Sequence, residues 1–232
     1  MFLPYIYFTI LLELIKEGLR FEFWRAHMLI LTSSTNFVTK HFLRYLPKDP
    51  QKIKLTFIPT AAEVEEGDLQ WLKNDKQSLV DAGFQITEFT LTGKDQEEVR
   101  QMLNKTDFVF VSGGNTFYLL QEMRKSGFAD LISRYINRGL IYGGSSAGSL
   151  VAGPDISLVK ELDDSSLAPE LKDYKGLNLI DVAVFPHWGN DQFHNRYGKM
   201  MKSGYKKGLK IILLTDDQYL LVDRNKYSIE SI

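Results

Sequence analysis

From Met28 onward, short apolar runs alternate with amphipathic stretches. The runs "LILTSS", "KLTFIP", "FQITEFTL", "DFVFVSGG", "GLIYGG", "DVAVFPH", "KIILLTD" and "QYLLVD" have the length and residue types of strands. Between the earlier ones lie "FVTKHFLRYL", "DLQWLKNDKQSLVDAG", "DQEEVRQMLNK", "TFYLLQEMRKSG" and "FADLISRYINRG", which read as helices. In "LQWLKNDKQSLVDAGF", apolar positions 69, 72, 79, 80 and 82 fall near one helical face, and Gly83 supplies a stop. Buried-type strands alternating with helices predict an α/β fold: a mostly parallel sheet with helices on both faces, three layers in all. The closing "IILLTDDQYLLVDRNKYSI" reads as strand, turn and strand, antiparallel and at one edge. With no repeat, linker or low-complexity segment, residues 28–232 form a single domain in this reading.

Composition narrows the chemistry. The 232 residues carry a net charge of −1 and no block of like charge, so nothing suggests a nucleic-acid partner. Cysteine is absent, which removes disulfides, thiolate metal sites and thiol nucleophiles and suits a reducing cytoplasm. Any nucleophile is therefore Ser, Thr, Lys or a carboxylate.

Residues 1–27 stand apart. "MFLPYIYFTILLELIKEG" begins apolar, but Glu13, Lys16 and Glu17 interrupt it short of the roughly 20 apolar residues that a membrane span needs. It also lacks the basic start and small-residue cleavage site of a signal peptide. It reads as a leader ahead of a natural start at Met28. The other reading is an amphipathic helix docked on the domain or on a membrane surface.

In open α/β sheets, ligands bind beyond the carboxyl ends of the strands. Those ends carry "PTAAEVEEG", "SGGNTF", "GGSSAGS", "PHWGN" and "TDDQ". Small, hydroxylated and titratable residues gather there, so the chemistry is expected there too.

"GSSAG", Gly144 to Gly148, fits G-x-S-x-G, in which a serine sits on a strained strand-to-helix turn. Ser146 is then the candidate nucleophile. The N–H of Ala147, opening the next helix, could face an oxyanion. The plainer reading is a small-residue contact between strand and helix. Of the four histidines, His27 lies in the leader, His41 on an amphipathic helix and His194 on a polar helix. His187, directly after a buried-type strand ended by Pro186, is the best-placed base. A carboxylate must hold its tautomer. Asp216 is the first choice, because its strand follows the His187 strand and helix; Glu161, Asp163 and Asp164 are the alternatives, and Asp216 with Asp217 could equally be a simple turn. In "SGGNTF", paired glycines let N–H groups converge on an anion, with Gly114 supplying the other half of an oxyanion hole. Asn115 or Thr116 caps the following helix, and Asn115 is also a candidate substrate contact.

In order, "VSGGNTFYLLQ", "GGSSAGSLVAGP" and "FPHWGN" resemble the dipeptidase E (aspartyl dipeptidase) family of serine peptidases, relatives of the cyanophycinases. The likeness covers about residues 28–222. It implies a flavodoxin-like sheet, Ser146 as nucleophile, His187 as base and Gly114 with Ala147 at the oxyanion. It leaves the acid at Glu161 or Asp216. It further implies a cation for the carboxylate of an amino-terminal aspartate, and Arg196 is the candidate. The expected function is a cytoplasmic exo- or dipeptidase acting on short peptides through an acyl-enzyme. No metal, organic cofactor or membrane span is called for, and a homo-oligomer is left open. The rivals are an esterase of α/β-hydrolase type and a non-catalytic, flavodoxin-like anion-binding module.

Overall fold

The computed structural model describes residues 27–224 and 226–232, with the side chain of Glu161 outside that description. Apart from His27, the expected leader lies outside the described residues.

The elements follow the apolar pattern. They run β1 (Met28–Thr32), α1 (Thr35–Phe42), β2 (Lys54–Ile58), α2 (Gln70–Asp81), β3 (Gln85–Glu88), α3 (Gln96–Leu103) and β4 (Phe108–Val111). Then come α4 (Thr116–Lys125), α5 (Phe128–Ile136), β5 (Ile141–Ser145), the single turn α6 (Ala147–Leu150) and β6 (Ala183–Phe185). The chain closes with α7 (His194–Lys206), β7 (Ile211–Leu213), β8 (Gln218–Asp223) and β9 (Lys226–Ser231).

A seven-stranded sheet has the order β3-β2-β4-β5-β1-β8-β9. The strands from β3 to β1 pair in parallel, while β8 runs antiparallel to both β1 and β9. Both faces are covered, and strand periodicity shows how. Leu29 and Leu31 of β1, Val109 and Val111 of β4, and Leu220 and Val222 of β8 enter one core with α4 and α5. Ile30, Phe108, Phe110, Tyr219 and Leu221, alternating with them, enter the other core with Val38 and Phe42 of α1 and Leu79 of α2. The expected three-layer α/β/α fold with antiparallel strands near the C-terminus is the one observed.

The end of the chain departs from the expectation in detail. "KIILLTD" does not form the antiparallel pair with "QYLLVD"; β7 instead pairs in parallel with β6 in a separate two-stranded sheet. The hairpin is β8–β9, closed at Arg224. The polar "TDDQ" carries the chain from one sheet to the other, because the apolar face of β8 is needed beside β1. Among the described residues, no helix is long and apolar enough to cross a membrane. No His, Asp and Glu group among them is arranged to hold a metal ion.

Candidate active site

Parallel pairing brings the carboxyl ends of β1, β4 and β5 to one edge of the sheet. Ser146 follows β5 there, with φ +48° and ψ −105°, a conformation that L-residues rarely adopt. Close packing accounts for the flanking glycines. A Cβ on Gly144 would lie 2.4 Å from the Gly148 carbonyl carbon, and one on Gly148 would lie 2.2 Å from the Val111 oxygen. The helix after Ser146 spans only Ala147–Leu150, so it brings little of the macrodipole expected of a longer helix. What remains is local: the N–H of Ala147, as the first helical residue, has no intrahelical acceptor.

His187 also has a positive φ, +60°. Its Nε2 stands 3.0 Å from Ser146 Oγ, and its Nδ1 stands 2.7 Å from Asp216 Oδ1. The small sheet makes this possible, because parallel β6 and β7 end side by side, with His187 after one and Asp216 after the other. Several groups hold the imidazole. Its ring stacks on Phe193 at 4.8 Å between centroids, and the Tyr197 hydroxyl donates to the His187 carbonyl. Ser33, at the end of β1, accepts the His187 backbone N–H at 2.7 Å and donates to Asp216 Oδ1 at 2.8 Å. Asn190 Nδ2 donates to Asp216 Oδ2 at 2.9 Å. Burial by itself would raise the Asp216 carboxyl. The hydrogen bonds from His187, Asn190 and Ser33 and the charge of His187 outweigh it, and hold the group at about 2.

Asp163 and Asp164 are engaged elsewhere. Asp163 accepts the Thr116 N–H at the start of α4 at 2.8 Å, and Asp164 accepts the Ser166 N–H at 2.8 Å. Burial pushes the Asp163 carboxyl up, against the pull of the Thr116 hydrogen bonds and the charges of Arg196 and His187. The side chain of Glu161 lies outside the described residues.

The Gly113–Gly114 turn lies against Ser146. A Cβ on Gly113 would stand 3.3 Å from the Ser146 Cβ and 3.4 Å from the Trp71 ring. Gly114 has φ +125°, and a Cβ there would lie 2.2 Å from the Ala61 oxygen. No backbone acceptor among the described residues takes its N–H. Gly114→Ala should therefore cost about 2–4 kcal/mol, from overpacking and a disfavoured φ together. Urea unfolding checks this, and a loss below about 0.5 kcal/mol would mean that the turn relaxes freely.

Asn115 was expected to touch substrate. Its Oδ1 accepts the Tyr118 N–H at 2.9 Å and its Nδ2 donates to the Asp164 carbonyl at 3.0 Å. Only 2% exposed, it caps α4 and ties down the adjoining loop instead. Arg196 is exposed, and its Nη1 donates to the Leu162 carbonyl at 3.2 Å, on the segment that carries Asp163.

Sequence reasoning missed Ser33, Asn190, Phe193, Tyr197 and Trp71. Ser33 was within reach, since "TSST" follows β1 and the same strand-end rule covers it. The Trp71 indole, 39% exposed, had no such signal on its helix. A cavity of about 460 Å³ opens beside Asp216, between Phe37, Trp188 and Asn190. A larger one, about 660 Å³, lies along β3 and α3 between residues such as Gln85 and Met102, with no serine or histidine in its wall.

Three comparisons bear on this arrangement. The chain is 36% identical over 195 residues to the uncharacterized peptidase PM1590 of Pasteurella multocida, covering 84% of this chain and 93% of that one. It is 28% identical over 178 residues to a peptidase E of Nostoc sp., covering 74% and 69%. A 1.5 Å crystal structure of a candidate peptidase E from Listeria monocytogenes EGD-e superimposes with a TM-score of 0.82, at 30% identity, over 89% of this chain and 99% of that one. The family model described as peptidase family S51 matches residues 28–229, from the first strand of the sheet to the last, and the chain belongs to that peptidase family.

Proposed function

We propose that this peptidase is of the serine type, an exo- or dipeptidase that cleaves short peptides through an acyl-enzyme on Ser146. The observation that carries the reading is the continuous chain Ser146 Oγ, His187 Nε2, His187 Nδ1, Asp216 Oδ1, with gaps of 3.0 Å and 2.7 Å. His187 Nδ1–H donates to Asp216, which leaves Nε2 as an acceptor for the Ser146 hydroxyl proton. As Oγ attacks the scissile carbonyl carbon, Nε2 takes that proton and the carbonyl oxygen becomes an oxyanion. The N–H groups of Gly114 and Ala147 are assigned to that oxygen. Collapse of the tetrahedral intermediate breaks the C–N bond, and Nε2–H delivers the proton to the leaving amine. Water then attacks the acyl-enzyme with the same base and releases the acid and Ser146.

Arg196, solvent-exposed on α7, is the group assigned to the carboxylate of an amino-terminal aspartate, since a guanidinium can grip it with two hydrogen bonds. Asn115, next to the Gly113–Gly114 turn, acts by capping α4 and tying it to the Asp164 segment. A dipeptide panel tests the whole reading: Asp-Xaa beside Glu-Xaa, Asn-Xaa and Ala-Xaa, with the leaving residue held constant. The expected result is cleavage, with Asp-Xaa fastest and that preference reduced in Arg196→Ala. Equal rates for Asp-Xaa and Ala-Xaa would sink the aspartate specificity while leaving the serine mechanism standing.

A further inference from the structure

Asp75 lies mid-way along α2, yet only 4% of it is exposed, and the proposed chemistry does not use it. A buried carboxylate is costly unless its hydrogen bonds repay the lost hydration. Two are in place, and they reach different parts of the chain. Oδ2 accepts the Ser145 hydroxyl at 2.8 Å, and Oδ1 accepts the Asn36 backbone N–H at 2.9 Å.

Each partner adjoins the site. Ser145, 2% exposed, is the residue before the strained Ser146. Asn36 lies in the first turn of α1, whose N-cap, Ser34, makes no side-chain cap. The Ser34 hydroxyl donates to Asn36 Oδ1 instead. Asp75 thus caps α1 from a different helix, with its negative charge at the end where the peptide dipoles favour it. Directly ahead of that cap stands Ser33, which holds both His187 N–H and Asp216. One carboxylate therefore ties the serine side of the triad to the histidine–aspartate side.

We propose that Asp75 is a positioning residue, which locks the Ser146 turn and the start of α1 in register so that Ser146 Oγ stays within reach of His187. This rests on the reading of Ser146 as nucleophile. A turn with a disfavoured φ persists only where its surroundings over-determine it, and the Asp75–Ser145 bond is part of that constraint at Ser146. Burial pushes the Asp75 carboxyl above its usual range, against the pull of Ser145, Asn36 and His187. That is the behaviour of a group enclosed beside the triad rather than on the solvent side of α2.

The test uses the full chain with Asp75→Asn, which keeps size and one acceptor but loses the charge and the fit to two donors. Ser145→Ala, which breaks only the link to the nucleophile turn, is made in parallel. Peptide turnover is measured, and the rate of Ser146 labelling by a fluorophosphonate is measured per folded molecule. A displacement of about 1 Å at a reacting atom costs about 100-fold. On that scale, Asp75→Asn should lower kcat by about 10- to 100-fold and slow labelling by a similar factor, with KM within about 3-fold. Ser145→Ala should lower both by about 3- to 10-fold. A merely structural role predicts losses that follow the folded fraction alone, and that result overturns the proposal. So does a folded Asp75→Asn with kcat and labelling unchanged. If Asp75→Asn does not fold, Ser145→Ala decides by the same criteria. A wild type that neither labels nor cleaves overturns the nucleophile reading, and this proposal with it.

Discussion

Ser146→Ala is expected to abolish peptide turnover, with kcat falling by about 10⁴- to 10⁶-fold, the scale seen when a serine nucleophile is removed. Among the described residues, the substitution removes the one hydroxyl that His187 Nε2 reaches, at 3.0 Å. It leaves the fold in place, because the backbone bonds of the turn do not involve Oγ. The Ser146 N–H donates to the Thr32 carbonyl at 3.1 Å, and the Ser146 carbonyl accepts from Ser149 and Leu150. Thermal unfolding should accordingly move little. Fluorophosphonate labelling should vanish with turnover, and mass spectrometry should place the wild-type adduct on Ser146. Residual cleavage at the wild-type rate would show that the activity comes from another group or from a contaminant. A folded wild type with no labelling and no turnover would instead favour an anion-binding module.

Asp216→Asn is the next largest effect, about 10²- to 10⁴-fold in kcat. The amide leaves the shape nearly unchanged, but it cannot take the place of a carboxylate that accepts from three neighbours. Oδ1 meets His187 Nδ1 at 2.7 Å and the Ser33 hydroxyl at 2.8 Å, while Oδ2 meets Asn190 Nδ2 at 2.9 Å. An amide nitrogen in either position faces a donor, and the imidazole is freed to adopt the wrong tautomer. KM should change far less than kcat, because the carboxylate acts through His187. A variant with wild-type kcat would remove Asp216 from the mechanism and reopen the question of the acid.

The same carboxylate has a signature in stability. Held at about 2 in the fold, it lies below the roughly 3.9 of an unfolded aspartate. The unfolded chain therefore binds more protons here than the folded chain, so stability rises with pH across this window. The contribution is complete above about pH 4 and is lost as pH falls through about 2. Urea midpoints between those values should fall less steeply with acid in Asp216→Asn than in wild type. Identical slopes would mean that the carboxylate is not held by these bonds.

The apolar pattern carried most of the architecture, for a direct reason. Alternating residues point to opposite faces, so continuous apolar strands such as "FVFV" need cover on both sides. Val109 and Val111 duly enter one core, and Phe108 and Phe110 the other. The closing segment was harder to read. The pairing partner of β7 is β6, which precedes it by a loop and a helix, and no local signal distinguishes that partner from the adjacent β8.

The site divides along the same line. Ser146 and Gly114 are legible because backbone geometry dictates residue type locally. A tight elbow needs small neighbours, and a φ of +125° with a carbonyl 2.2 Å from any Cβ needs glycine. His187 is legible from its place at a strand end. Asn115 is legible as a cap, and the contact with substrate expected of it gives way to bonds inside the fold. Ser33 obeys the same rule, since it directly follows the last residue of β1.

By itself, then, the sequence determined the layers, the face that each strand residue takes and the strand-end positions where chemistry could sit. Those follow from chain periodicity and from the φ and size limits of single residues. Only the tertiary structure decided which groups meet. Asp216 rather than Asp163 stands beside His187 because β6 and β7 are neighbours, and Asp75 reaches Ser145 because α2, packed against α1, brings it to the last residue of β5. Hydrogen bonds between residues 29 or 70 positions apart are set by strand order and helix packing. Those are properties of the whole folded chain, and no short stretch of it encodes them.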